Sequence, residues 1–231
     1  MHNRLICLDA DDTLWHNMRH FDVAEKVFFS VMAPFASEQL ARARLETVSQ
    51  RNLAIYGYGA KSFTLSMIET AHELCSPAVS SVLLGAILEA GRELLLHRVE
   101  LLPGVEGAIE ELADLGELVL VTKGDLRHQE AKFAASGLGD HFVAVEIVSD
   151  KSADIFKAIC RRHGVAPNRC VVAGDSVRSD IIPALEAGAW AAHVPHEIVW
   201  FHERAVVPEN HPRFVQLSSL SELPRWVRTL P

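Results

Sequence analysis

The chain has 231 residues, 49% hydrophobic and 23% charged, enough apolar material for a sizeable core and too much for overall disorder. Its formal net charge of −8 argues against a nucleic-acid backbone as the main partner. No apolar run approaches the ~20 residues of a membrane span, and the Leu5–Leu8 run is too short for a signal-peptide h-region.

In chain order, Leu5–Leu8 reads as a short buried strand running straight into Asp9, Asp11 and Asp12. From Met18 to Arg98 no strand is convincing. Val23, Val27 and Val31 predict a helix that stops before Pro34, and Ser37 is placed to cap a second. Phe63, Met67, Ala71 and Leu74 mark a third. Ser76-Pro77 is read as opening a fourth, carrying Val79, Leu83, Ile87 and Leu94. His16 and His20, at i and i+4, are set to share a helix face, with no third ligand for a metal. Trp15 is expected to pack where the two textures of the chain meet.

Beyond Arg98 the texture changes. Val105, Ile109, Leu112 and Leu115 have helical spacing, as do Ile155, Ile159 and Cys160. Strands are predicted at Leu118–Val121, Phe142–Val148, Val171–Ala173 and Ala189–Val194, the last holding Trp190. Gly116, Gly137, Gly164 and Gly188 stand at helix stops. The tail after Pro195 reads as irregular. Cys7, Cys75, Cys160 and Cys170 stand singly in apolar contexts, which predicts reduced core thiols and a cytoplasmic location. The alternation implies an α/β fold, a doubly wound, Rossmann-like parallel sheet formed by residues 1–16 and 99–231, with an all-helical insert at 17–98.

In such a sheet, ligands bind beyond the carboxyl ends of the strands at the switch point. The first strand leads into Asp9, Asp11, Asp12 and Thr13, and the second into Thr122, Lys123, Gly124 and Asp125. Lys151 follows the third. Gly174, Asp175 and Ser176 follow the fourth, with Asp180 five residues beyond Asp175. Every candidate polar group therefore falls at one edge.

This set suits metal-assisted phosphoryl transfer. Asp9 and Asp175 are hard oxygen ligands for Mg²⁺, which would let a phosphate dianion approach a carboxylate nucleophile. Asp9 would attack phosphorus, and Asp11, two residues on, would protonate the leaving alcohol and later activate water. Thr122 and Lys151 would hold the non-transferring oxygens, with backbone N–H groups at Lys123-Gly124 assisting. Asp12 and Thr13 read as turn residues, and Asp180 also suits the start of the helix that Pro183 opens. The segment YGYGAKSF, Tyr56 to Phe63, is either a substrate-facing lip with Lys61 near the leaving group or a plain inter-helix turn.

The residues DADDT at 9–13, Thr122, Lys151 and GDSVRSD at 174–180 resemble, in order and placement, the four motifs of the haloacid dehalogenase superfamily, and the helical insert resembles its C1-type cap. The resemblance implies a Mg²⁺-dependent phosphohydrolase acting on a small phosphorylated metabolite through an aspartyl-phosphate. It implies Asp9 as nucleophile and Asp11 as acid/base. The metal would take the side chains of Asp9 and Asp175 and the backbone carbonyl of Asp11, with Asp180 as ligand or support for metal-bound water. Many members carry Asn where this chain has Lys123, and Pro where it has Ser152; Lys123 adds positive charge for substrate phosphate.

Asp11 argues against the dehalogenase and phosphonatase branches, which lack that acid, although Lys26 and Lys61 could serve a phosphonatase imine. A phosphomutase needs the same residues and differs in excluding water. A receiver domain phosphorylated on aspartate fits the motif order and the long insert poorly, and a catalytically retired binding protein fits poorly with a full set of chemical groups. The cap is expected to close over the site on hinges near Trp15–Asn17 and Arg98–Gly104. The expected protein is a monomer or homodimer without nucleic-acid or membrane partners.

Overall fold

A computed structural model describes residues 4–75, 79–200 and 203–231. They group into an α/β unit, residues 4–18, 99–123, 129–200 and 203–231, and a helical unit, residues 19–75 and 79–98 with 124–128. Among the described residues, no helix is long and apolar enough to cross a membrane.

The α/β unit is built on six parallel strands: β1 (Leu5–Leu8), β2 (Glu117–Lys123), β3 (Phe142–Val148), β4 (Cys170–Gly174), β5 (Trp190–His193) and β6 (Phe214–Gln216). They lie in the order β3-β2-β1-β4-β5-β6. Winding runs one way from β1 through β2 to β3 and the other way from β4 through β5 to β6. The reversal between β1 and β4 is the switch point at which such sheets bind ligands. Leu8 aligns with Leu120 of β2 and with Ala173 of β4, so the residues just beyond these strand ends emerge side by side.

Side chains alternate between the two faces, as strand geometry requires. Ile6, Leu8, Leu118, Leu120 and Val171 pack with Ile109 and Leu112 of α5 (Val105–Ala113). Leu5, Cys7, Val119, Val121 and Val172 pack with Phe156 and Ile159 of α7 (Ala153–Arg162). Burying each such side chain stabilises the fold by about 1.5–3 kcal/mol. The four cysteines are buried free thiols.

The tail after Pro195 is more ordered than its sequence suggests. β6 pairs with β5 through Ala191 and Phe214, and Trp226 of α9 (Leu223–Val227) meets Trp190 edge-on at 6.3 Å. A three-residue strand among prolines and histidines leaves no alternation to read.

In the helical unit, α1 (Met18–Met32) turns Ala24, Phe28, Phe29 and Met32 inward. The valine stripe is therefore not its core face: Val23 and Val27 are 59% and 39% exposed. Two phenylalanines bury far more area than the valines and set the helix rotation. Ser37 caps α2 (Glu38–Tyr56) by accepting from the Leu40 N–H. Met67 and Ala71 of α3 (Ala60–Cys75) are buried with Ile87 and Leu94 of α4 (Ser81–Leu96). The cap of α4 is Ser80, accepting from the Leu83 N–H at 3.2 Å, so Val79 precedes the helix. Ser76-Pro77, read from sequence as the helix opening, lies outside the described residues. His16 and His20 do not share a helix face, because α1 begins at Met18. The His16 ring sits 6.2 Å from that of His196, and His20 stacks on His97 at 3.9 Å.

Candidate active site

The edge at the switch point carries two acidic corners. The first gathers Asp9, Asp175 and Asp180, whose carboxylate oxygens lie within 4.8 Å of one another. Asp9 continues β1, with its N–H bonded to the Ala173 carbonyl at 2.9 Å. Asp175 follows β4. The chain next makes a π-helical turn, Val177–Ile181, before α8 (Ile182–Ala187), and that turn aims the Asp180 side chain back at the strand end. Gly174 makes room for it, since a Cβ there would land on the Asp180 carboxylate. The buried Lys151 ammonium joins Asp9 Oδ1 at 2.5 Å to Asp180 Oδ1 at 2.6 Å. Thr13 is more than a turn residue: its hydroxyl donates to Asp9 Oδ2 at 3.0 Å and accepts from the Asp175 N–H at 3.1 Å.

Burial raises the Asp9 carboxyl to about 6, with Asp180 and Asp11 adding repulsion and Lys151 opposing. Burial and the charges of Asp9, Asp180 and Asp12 push Asp175 well up. Burial alone would lower Lys151, yet Asp180 and Asp9 overcome it and keep the ammonium charged. Three crowded carboxylates against one ammonium are a donor set short of positive charge. Their hard oxygens fit a small divalent cation, and the rising carboxyl values register the electrostatic cost of leaving them unneutralised.

The second corner is Asp11. Its carboxylate accepts from Trp15 Nε1 at 2.7 Å, Gln129 Nε2 at 3.0 Å and Lys132 Nζ at 2.5 Å, and Lys132 also reaches Asn17 Oδ1 at 3.2 Å. Gln129 and Lys132 are one turn apart on α6 (Leu126–Ser136), which follows β2, so they share a helix face. Burial works to raise Asp11, but the Lys132 charge and these hydrogen bonds prevail and hold it below the usual carboxylate range. Between the corners, Asp12 adopts the left-handed conformation, φ 60°, and its carboxylate accepts from the N–H groups of Asn17 and Met18 at 2.8 and 2.9 Å. Burial raises it to about 6.

Thr122 is buried, its hydroxyl accepting from Gln129 Nε2 at 2.7 Å. The Lys123 ammonium donates to Ser179 Oγ and to Glu203 Oε1, both at 2.7 Å. In the helical unit, Asp125 bonds the Lys61 N–H at 3.3 Å and pairs with Lys61 Nζ at 3.2 Å, over Gly59, whose Cβ would come within 2.9 Å of the same carboxylate. Gly59 has φ 111°, so that turn is built for close approach.

The sequence reading thus anticipated Asp9, Asp11, Thr122, Lys123, Lys151, Asp175 and Asp180 at this edge, with Ser176 beside them and Ser179 within the same motif but without a role for either, and it did not anticipate Gln129, Lys132 or Glu203. The i, i+3 pairing of Gln129 and Lys132, behind a strand that delivers Thr122, was a usable signal. Glu203, in the irregular tail, had none.

A family model described as haloacid dehalogenase-like hydrolase matches residues 3–188. Human N-acylneuraminate-9-phosphatase is 29% identical over an alignment of 143 residues that covers 58% of this chain and 55% of that protein, so the chain spans about half the length of the curated relatives it matches. A haloacid dehalogenase-like family hydrolase from Xanthomonas campestris superimposes with a TM-score of 0.89 at 36% identity, over 99% of this chain and 92% of that one. An L-2-haloacid dehalogenase from Xanthobacter autotrophicus, 19% identical with a TM-score of 0.65 over 99% of each chain, shares the fold. With the strand order, the four motif positions and these matches in agreement, the chain belongs to the haloacid dehalogenase-like hydrolases.

Proposed function

We propose that the protein is a Mg²⁺-dependent phosphatase that cleaves a small-molecule phosphate monoester through an aspartyl-phosphate on Asp9. The observation that carries this reading is the pairing of two corners at one strand edge, an electron-rich carboxylate trio beside a separately held acid/base. Asp9, Asp175 and Asp180, with the backbone carbonyl of Asp11, would hold the cation, which when bound supplies charge neutralisation and Lewis-acid polarisation of the phosphate.

Asp9 is oriented by both of its oxygens, one on Lys151 and one on Thr13. Ionised at neutral pH, it attacks phosphorus as the ester P–O bond breaks. Lys151 and the Thr122 hydroxyl hold the non-transferring oxygens, and Lys123 lends positive charge to the same edge. The departing alkoxide takes its proton from Asp11. That carboxylate is ionised at rest, and the Lys132 ammonium 2.5 Å away is a proton source already in contact with it. Asp11 then accepts a proton from the water that hydrolyses the phospho-Asp9 and returns it to Lys132, which releases phosphate and restores the Asp9 and Asp11 carboxylates and the Lys132 ammonium.

The test is phosphate release from p-nitrophenyl phosphate and from a panel of monoesters that includes N-acylneuraminate 9-phosphate, with Mg²⁺ and with a chelator. Turnover that requires Mg²⁺ is expected. Absence of release from every ester, or release indifferent to chelation, would overturn the reading.

A further inference from the structure

The segment that follows β5 is not part of any family motif, and Glu203 lies beyond residue 188, where the family match ends. Yet its carboxylate reaches into the π-helical turn that separates Asp175 from Asp180. Glu203 Oε2 accepts from the hydroxyls of Ser176 and Ser179, both at 2.5 Å, and Oε1 accepts from Lys123 Nζ at 2.7 Å. Its side chain is 14% exposed and that of Lys123 11%. Burial would raise Glu203, but Lys123 and the two serines outweigh it and keep the group ionised. The same serines organise the turn from within. Ser176 N–H donates to Asp180 Oδ2 at 3.1 Å, and Ser176 Oγ accepts from the Ser179 N–H at 2.9 Å.

A π-helical turn is an uncommon element, often found at functional sites. Here one carboxylate satisfies both hydroxyls of the turn and ties them to Lys123 at the end of β2, on the opposite side of β1 from β4. Without Glu203, the Lys123 ammonium would lose the largely buried carboxylate that offsets its charge, the exposed Asp150 lying farther off at 3.9 Å. It would then add positive charge next to a site built for a cation.

We propose that Glu203 is a positioning residue for the cation site, clamping the Ser176–Ser179 turn so that Asp175 and Asp180 converge, and that Lys123 is its matched counter-charge. The assignment rests on the Mg²⁺-site reading given above. It also explains the chain's departure from the more usual Asn after Thr122: Lys123 and Glu203 are installed as a pair, and each is costly without the other.

The experiment is calorimetric titration of Mg²⁺ into the full-length protein, wild type, Glu203→Asp, Glu203→Gln and Lys123→Met/Glu203→Gln, with melting curves to certify folding. Glu203→Asp keeps the charge and withdraws the carboxylate by one methylene. Clamping predicts that it weakens Mg²⁺ binding by about tenfold or more, the size of other supporting-residue effects on metal sites, whereas a purely long-range charge effect predicts no loss. Glu203→Gln is expected to be weaker still, and the double variant to recover part of that loss. Wild-type affinity in Glu203→Asp would overturn the positioning role while leaving the phosphatase reading intact. Failure of the wild type itself to bind Mg²⁺ would remove both. Should Glu203→Gln fail to fold, the aspartate variant alone decides the point.

Discussion

Asp9 and Asp11 stand two residues apart on one loop, are chemically identical, and are driven in opposite directions. Asp9 is raised to about 6 and Asp11 is held below the ordinary range. Burial pushes both upward, so the difference lies in the partners. Asp9 shares a single ammonium, Lys151, with Asp180 and faces Asp175 across a few ångströms. Asp11 has Lys132, which pairs with no second carboxylate among the described residues, together with two neutral N–H donors. A crowded anion site calls for a cation from outside, whereas a carboxylate kept ionised by its own cation is set to accept a proton and must be given one before it can donate. Pairs of titratable groups whose surroundings drive them apart are a recurrent mark of divided acid/base and nucleophilic labour.

The largest effect expected from breaking this contrast is at Asp9. Asp9→Asn removes the proposed nucleophile and one charge of the crowded corner, so phosphate release should fall by about four orders of magnitude, as for other essential covalent nucleophiles. Rapid-quench trapping of a phosphorylated protein in the wild type, and its loss in the variant, checks the assignment. An Asp9→Asn protein within tenfold of wild-type turnover would mean that phosphorus is attacked by some other group.

Lys132→Met is the matching break at the other corner. It leaves the Asp9, Asp175 and Asp180 carboxylates proposed to hold the cation untouched but strips Asp11 of its ammonium. General acid–base contributions are typically ~10²–10⁴-fold, so kcat for an alkyl phosphate should fall by about 10²-fold or more. For p-nitrophenyl phosphate, whose leaving group needs little protonation, the loss should be within about tenfold. Equal losses on both esters would assign Lys132 to structure alone.

How much of this contrast was legible in the sequence follows from where each partner lies. Asp9, Asp11, Lys151 and Asp175 could be placed because each follows a readable β-branched run, and a parallel sheet collects strand ends at one edge. Lys132 was harder. It sits on α6, whose apolar periodicity is weak, and it was not read; its i, i+3 spacing from Gln129, behind the strand that delivers Thr122, was the usable signal. The stripe of Val23 and Val27 misled because period alone cannot tell a valine face from the neighbouring face carrying Phe28 and Phe29. Glu203 was out of reach: its partners are 24 to 80 residues away, and it comes from a loop with no pattern of its own.

The smallest expected effect is thermodynamic, and its sign follows from the same contrast. In chelator, Asp9, Asp12 and Asp175 hold their protons more tightly in the folded state than when unfolded, Asp9 and Asp12 with values of about 6 against an ordinary 3.8. Between those values the native state binds more protons than the unfolded chain, so stability falls as pH rises through the window and is recovered on acidification from pH 7 toward 5. Asp11 and Glu203 are shifted the other way and cost stability only at lower pH, as they protonate below the ordinary carboxylate range. A shift from 3.8 to about 6 corresponds to about 3 kcal/mol at full expression, of which only part falls between pH 5 and 7. The measurement is Tm against pH for wild type and Asp12→Asn. The substitution keeps an oxygen to accept from Asn17 and Met18 but cannot ionise, so the difference between the two curves isolates Asp12. The variant should gain stability relative to wild type as pH rises from 5 to 7, by a few degrees. Saturating Mg²⁺ should flatten the slope due to Asp9 and Asp175, because a cation favours their ionised forms, while leaving the Asp12 difference in place. A difference curve independent of pH would show that Asp12 is ionised throughout, with the N–H groups of Asn17 and Met18 and the His196 ring 3.5 Å away sufficient to carry its charge.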